Sequence, residues 1–155
     1  MASVLAQLEQ SGLATWIHES GLLYGYPLIL FLHTLGLSTV VGLNVAIDLR
    51  LLGVASNVPI ASLDKVFRLL WAGFALTATT GVLLFVADAT KHASNPAFLI
   101  KLVFVAGGVT TVSLLRRRVF HGGERGALIA AASLACWFVA LSAGRLMAYV
   151  SEFIS

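Results

Sequence analysis

The stretch LLYGYPLILFLHTLGLSTVVGLNVAI, residues 22–47, decides the fold. It runs for 26 positions without Asp, Glu, Lys or Arg, and His33 is its one group that titrates near neutral pH. A helix crosses a hydrocarbon core about 30 Å thick with about 20 mostly apolar residues. The stretch therefore predicts a membrane span.

Outward from it, three more runs meet the same requirement. Leu69 to Ala87 lies between Arg68 and Asp88. Pro96 to Leu115 is closed by Arg116, Arg117 and Arg118, with Lys101 near enough to the other end to snorkel. Ala127 to Val150 carries Arg145 about one turn from its end. The expected spans are 22–48, 66–88, 96–116 and 127–150. No alternating strand pattern competes with them, which excludes a closed β-barrel. Short connections between spans of alternating direction predict an all-α, integral membrane, antiparallel four-helix bundle, one domain over residues 1–155. Small residues at four-residue spacing, Ser38 and Gly42, Gly73, Thr77 and Gly81, and Ala140 and Gly144, are expected where the helices approach closely.

Residues 3–18 differ in character. Val4, Leu5, Leu8, Leu13, Trp16 and Ile17 recur at helical spacing, while Glu9 and Glu19 interrupt the apolar residues and no basic segment leads them. This predicts a short amphipathic interfacial helix anchored by Trp16 rather than a cleaved signal peptide.

Composition agrees with the spans. The chain has 59% hydrophobic and 11% charged residues with a mean hydropathy of +0.94. A soluble domain carries about 25% charge, so that class is excluded, as is disorder. A net charge of +3 and a pI near 9.4 would suggest nucleic acid in a soluble chain. Here the basic residues lie mostly between spans, so they are read as setting orientation and no nucleic-acid partner is expected. Arg50, Lys65, Arg68, Arg116, Arg117, Arg118 and Arg125 follow spans one and three, against Lys91, Lys101 and Arg145 toward the other face. The positive-inside rule then places loops 49–65 and 116–126 in the cytoplasm and both termini outside. Cys136 is the single cysteine, which excludes a disulfide framework.

Ionisable groups inside a span are expensive, so each is a candidate for function. His33 lies about 16 Å into span one at 1.5 Å per residue. Asn44 follows by 11 positions and Asp48 by four more, which puts all three on one helix face. That face can line a ligand site or a proton or electron path, with imidazole as haem ligand, metal ligand or proton acceptor. The structural alternative is a neutral His33 bonded to Thr79, Thr110 or Thr111. Asp88, Lys101 and Arg145 fall at similar depth on the outer side. They suit an anionic lipid, a quinone carbonyl or a haem propionate, or else Asp88 pairs with Arg145 while Lys101 snorkels.

Haem b with two imidazoles needs a second intramembrane histidine, and His18, His92 and His121 lie shallower or on the opposite side. The chain has no Cys-x-x-Cys, H-E-x-x-H or G-x-S-x-G, and no methionine-rich copper path.

The segments W16-I-H-E-S20, Y26-P27, L32-H33-T34-L35-G36-L37 and D48-L49-R50-L51-L52-G53 resemble a group of bacterial four-span inner-membrane proteins of unassigned activity. G81-V-L-L-F85, N95-P-A-F-L-I-K101, S133-L-A-C-W137 and G144-R-L-M-A-Y149 extend the resemblance over nearly the whole chain. More distantly, the histidine early in a span with a Gly-containing helix and an Asp or Arg exit is similar to CopD-type copper-resistance domains and HemJ-type protoporphyrinogen oxidases. Both groups carry further polar or histidine positions on later spans, whereas span three here has no histidine. The resemblance implies a bacterial inner-membrane location and adds Trp137 and Tyr149 to the candidate ligand contacts.

The leading expectation is a small non-catalytic subunit or ligand-binding module of a larger membrane assembly, with lipid, other subunits or further copies of itself as partners. The alternatives are a haem b electron-transfer protein or oxidase with His33 as axial or metal ligand, and CopD-like metal handling.

Overall fold

The computed structural model describes residues 2–54, 63–119 and 126–154 of the chain. Among these, every regular element is helical: α1 (Ala2–Glu9), α2 (Gly12–Glu19), α3 (Gly21–Tyr24), α4 (Tyr26–Leu51), α5 (Leu63–Ala87), α6 (Ala89–Ala93), α7 (Pro96–Val119) and α8 (Gly126–Ile154). Four of them hold segments long and apolar enough to cross a membrane: Tyr26–Leu51, Lys65–Ala87, Pro96–Arg117 and Gly126–Met147.

Local chemistry explains the boundaries. Helix α4 starts at Tyr26, with Pro27 in the first turn, where its missing N–H leaves no bond unmade. It ends on Gly53 at φ +90°, with Gly53 N–H donating to Arg50 O and Val54 N–H to Leu49 O. This paired C-terminal motif needs a residue that accepts the left-handed conformation. The single helix expected over residues 3–18 is instead two. Ser11 breaks it by accepting from Ala14 N–H as the N-cap of α2, while its own hydroxyl donates to Leu8 O. The segment after Asp88 contains the five-residue helix α6 where a plain loop was expected. Its Thr90 N–H and hydroxyl both donate to the Glu9 carboxylate, at 2.7 and 3.0 Å.

Helix α4 packs along α5, α7 packs along α8, and α4 meets α8, whereas α5 and α7 lack a comparable seam. The α4–α5 approach is closest at Gly36, where a Cβ would lie 2.9 Å from Gly73 O and 3.0 Å from Thr77 N. The anticipated Gly73, Thr77 and Gly81 stripe does face α4, meeting Gly36, Thr39 and His33. Ser38 and Gly42 do not take part: Ser38 is exposed and Gly42 has open space beside it. Between α7 and α8, Gly107 meets Cys136 and Gly108 meets the Trp137 indole. Ala140 is buried, and the Lys101 stem lies beside Gly144.

One apolar cluster joins Val40, Ile47, Phe67, Leu70, Val112 and Trp137 from all four long helices. A second joins Ile17, Ile29, Leu84 and Ala87, so α2 belongs to the packed body and covers one end of it.

Candidate functional site

Two polar groups are built into this apolar interior. The first is centred on Asn44, Asp48 and Ser133, each with 0% of its surface exposed. Asn44 and Asp48 stand one turn apart on α4, and Ser133 comes across from α8. Asn44 Nδ2 donates to Asp48 Oδ2 at 2.6 Å and to Ser133 Oγ at 2.9 Å. The Ser133 hydroxyl bonds the Asp48 carboxyl in turn. Asn44 Oδ1 and Asp48 Oδ1 have no partner although both are buried. Buried polar atoms are overwhelmingly hydrogen-bonded, so two bare oxygens in one cluster call for an explanation.

The second group surrounds His33. Its Nδ1 lies 3.0 Å from Thr77 O and 3.1 Å from Thr80 Oγ1. A carbonyl can only accept, so Nδ1 carries the hydrogen and Nε2 is left with its lone pair. The expected partners Thr79, Thr110 and Thr111 are turned elsewhere. Their hydroxyls donate to Ala75 O, Ala106 O and Gly108 O of their own helices. Gly81 makes room for the imidazole, since a Cβ there would sit 3.1 Å from His33 Cε1. Thr77 Oγ1 is a third buried atom without a partner.

The remaining candidates separate. Lys101 lies within electrostatic reach of His33. Arg145 is exposed and turned away from this interior. The proposed Asp88–Arg145 pair is not formed among the described residues; Asp88 instead begins α6, its backbone carbonyl accepting from His92 N–H and Nδ1–H. The Asp88 carboxylate lies within electrostatic reach of Tyr26 at the start of α4, whereas Arg145 is on the exposed face of α8. Trp137 is 3% exposed, and its indole Nε1 is also buried without a partner. Tyr149 lies in the last turns of α8, and its side chain is outside the described residues, as are His121 and Arg125.

Ser133 is the residue that reading the sequence missed. Its spacing of four from Trp137 placed it on the Trp137 face, but nothing local paired that face with Asn44.

A haem with two imidazole ligands is not assembled by these residues. His18 Nε2–H donates to Ala87 O at 3.2 Å and the ring stacks on Tyr26, with ring centroids 6.2 Å apart. This bond commits His18 at the α5 terminus. His92 sits between Phe85 and Phe98. Among the described residues no three His, Cys, Asp or Glu side chains gather in a group suited to a metal ion.

No protein-family model, curated protein or solved structure matches the chain.

Proposed function

We propose that the protein is a multi-pass subunit or ligand-binding module of a bacterial inner membrane, whose four long helices form an antiparallel bundle around the two polar groups. The observation that carries this is how little of the apolar surface the chain covers itself. At most 28% of any span's most apolar window is buried. Phe31, Val82, Val103 and Phe138, one from each long helix, are 62%, 62%, 68% and 72% exposed. Single exposed apolar residues are ordinary in soluble proteins, but continuous apolar faces on four span-length helices need lipid or partner helices.

The register of contacts supports antiparallel neighbours. His33 meets Gly81 and Thr39 meets Gly73; Asn44 meets Ser133 and Leu51 meets Gly126; Gly108 meets Trp137 and Lys101 meets Gly144. In each pair of helices, one number falls as the other rises. Trp16, 55% exposed beside the packed face of α2, suits an interfacial anchor.

The orientation rests on the basic residues after spans one and three. A cysteine at the exposed Ser94, in a Cys136→Ser background, is expected to react with an impermeant thiol reagent on intact cells. Labelling only after lysis overturns the orientation. Purification from native membranes in mild detergent is expected to recover stoichiometric partners or a homo-oligomer, and a lone monomer would remove the subunit reading.

The free Nε2 of His33 supports a second reading, a haem b protein with one histidine ligand. Bound haem would supply one-electron chemistry, and His33, oriented through Thr77 O, would supply the axial nitrogen. This reading expects a Soret band in the purified protein that His33→Ala abolishes without loss of helical content. A colourless protein from native membranes sinks it.

A further inference from the structure

Asp48 poses a charge problem that the fold does not otherwise solve. The carboxyl is fully buried, and its polar contacts are the neutral side chains of Asn44 and Ser133. The residues packed around this part of α4 are apolar: Phe67 and Leu70 from α5, Val112 from α7, and Trp137 from α8. Helix α8 brings no titratable side chain between Gly126 and Ser133. Among the described residues, the basic ones at this end are Arg50 on α4, Lys65 and Arg68 on α5, and Arg116 and Arg117 on α7. Lys65, Arg68, Arg116 and Arg117 are exposed, and Arg50, Arg68 and Arg116 have interactions of their own.

A buried carboxylate with no cation and one bare oxygen is among the costliest arrangements a protein interior can hold. One proton removes the charge. It also answers the two orphaned atoms together, because a hydrogen on Asp48 Oδ1 supplies the donor that the cluster lacks, and the bare Asn44 Oδ1, one helical turn away, is an acceptor with nothing to accept.

We propose that Asp48, Asn44 and Ser133 form a proton-binding site in the core of the bundle, with Asp48 as the acid, Asn44 as the acceptor of its hydrogen and Ser133 as the donor to the other carboxyl oxygen. The proton comes from water and returns to it, and no bond other than O–H forms or breaks. The site deepens the ligand-binding reading of the interior by naming the ligand, and its test is separate from the thiol labelling, which concerns orientation alone.

The test is infrared spectroscopy of the full-length protein in sodium-free lipid vesicles at neutral pH. The wild type is expected to show the carbonyl stretch of a protonated carboxylic acid, shifted in D2O. Asp48→Asn, neutral and nearly the same size, should lose that band while keeping its helical circular dichroism and unfolding midpoint. Ser133→Ala, which removes the donor to the carboxyl, should move the band without removing it. A wild-type spectrum without an acid band overturns the proposal, as does a band that persists in Asp48→Asn. A band that disappears when sodium chloride is added overturns it in favour of a metal cation. Should Asp48→Asn fail to fold, the wild-type spectrum and the Ser133→Ala shift still decide.

Discussion

Asn44→Leu is expected to lower the unfolding free energy by about 3 kcal/mol, because it leaves two fully buried polar partners behind. Asn44 Nδ2 serves both Asp48 Oδ2 and Ser133 Oγ, and both partners are fully buried. Leucine occupies similar volume, so packing alone cannot account for such a loss. The decisive comparison is a triple variant, Asn44→Leu with Asp48→Val and Ser133→Ala. Replacing a whole buried polar group with apolar side chains of similar shape is often neutral or stabilising, whereas breaking it is not. The triple variant should therefore recover at least half of the single variant's deficit in reversible unfolding from mild detergent. A triple variant less stable than Asn44→Leu alone would show that the polar cluster contributes net stability, contrary to this account.

Trp137→Ala is expected to cost about 3 kcal/mol, at the lower end of the range for removing a large aromatic core residue. The lower end follows from the proposed membrane location, because helices within a bilayer gain little from hiding apolar surface from water, which leaves the cavity and the lost dispersion contacts as the penalty. Trp137 is 3% exposed and joins Val40, Ile47 and Val112 in the shared core. It also lies against Gly108, where a Cβ would come within 2.8 Å of the ring. Trp137→Phe should restore most of the stability. Since Trp137 Nε1 has no partner, losing its N–H removes no hydrogen bond. A loss under 1 kcal/mol in the alanine variant, read from the same unfolding titration, would remove Trp137 from the set of residues that hold the hairpins together.

The spans were legible because hydrocarbon thickness demands long apolar runs, and such runs stand out in any sequence. Their ends were less so. Helix α4 begins four residues after the expected start because Gly21 at φ +81° and Gly25 make a separate short turn before Tyr26. The spacing of His33, Asn44 and Asp48 suggested one shared face; in the fold His33 meets Thr77 and Thr80 of α5, while Asn44 and Asp48 form the buried cluster with Ser133 of α8. Ser133 was hidden for a physical reason: a helix that is apolar all round carries no sided pattern to say which face meets a neighbour. The same reason explains why Ser38 and Gly42 looked like a packing stripe while Gly36 makes the close approach. Threonine choice at His33 turned on a helical offset of one to three residues between Thr77, Thr79 and Thr80, which only the seam between α4 and α5 resolves.

The link between Glu9 and Thr90 has a consequence for assembly. A five-residue helix is far too short to hold itself together, and the side chain that anchors its first turn lies 81 residues earlier in the chain. Helix α1 is thus a clasp made before the part it closes on exists. It must stay available while α4 and α5 are built, and it fastens only when the return toward α7 arrives. Loss of the Glu9 carboxylate would be felt first at this distant turn.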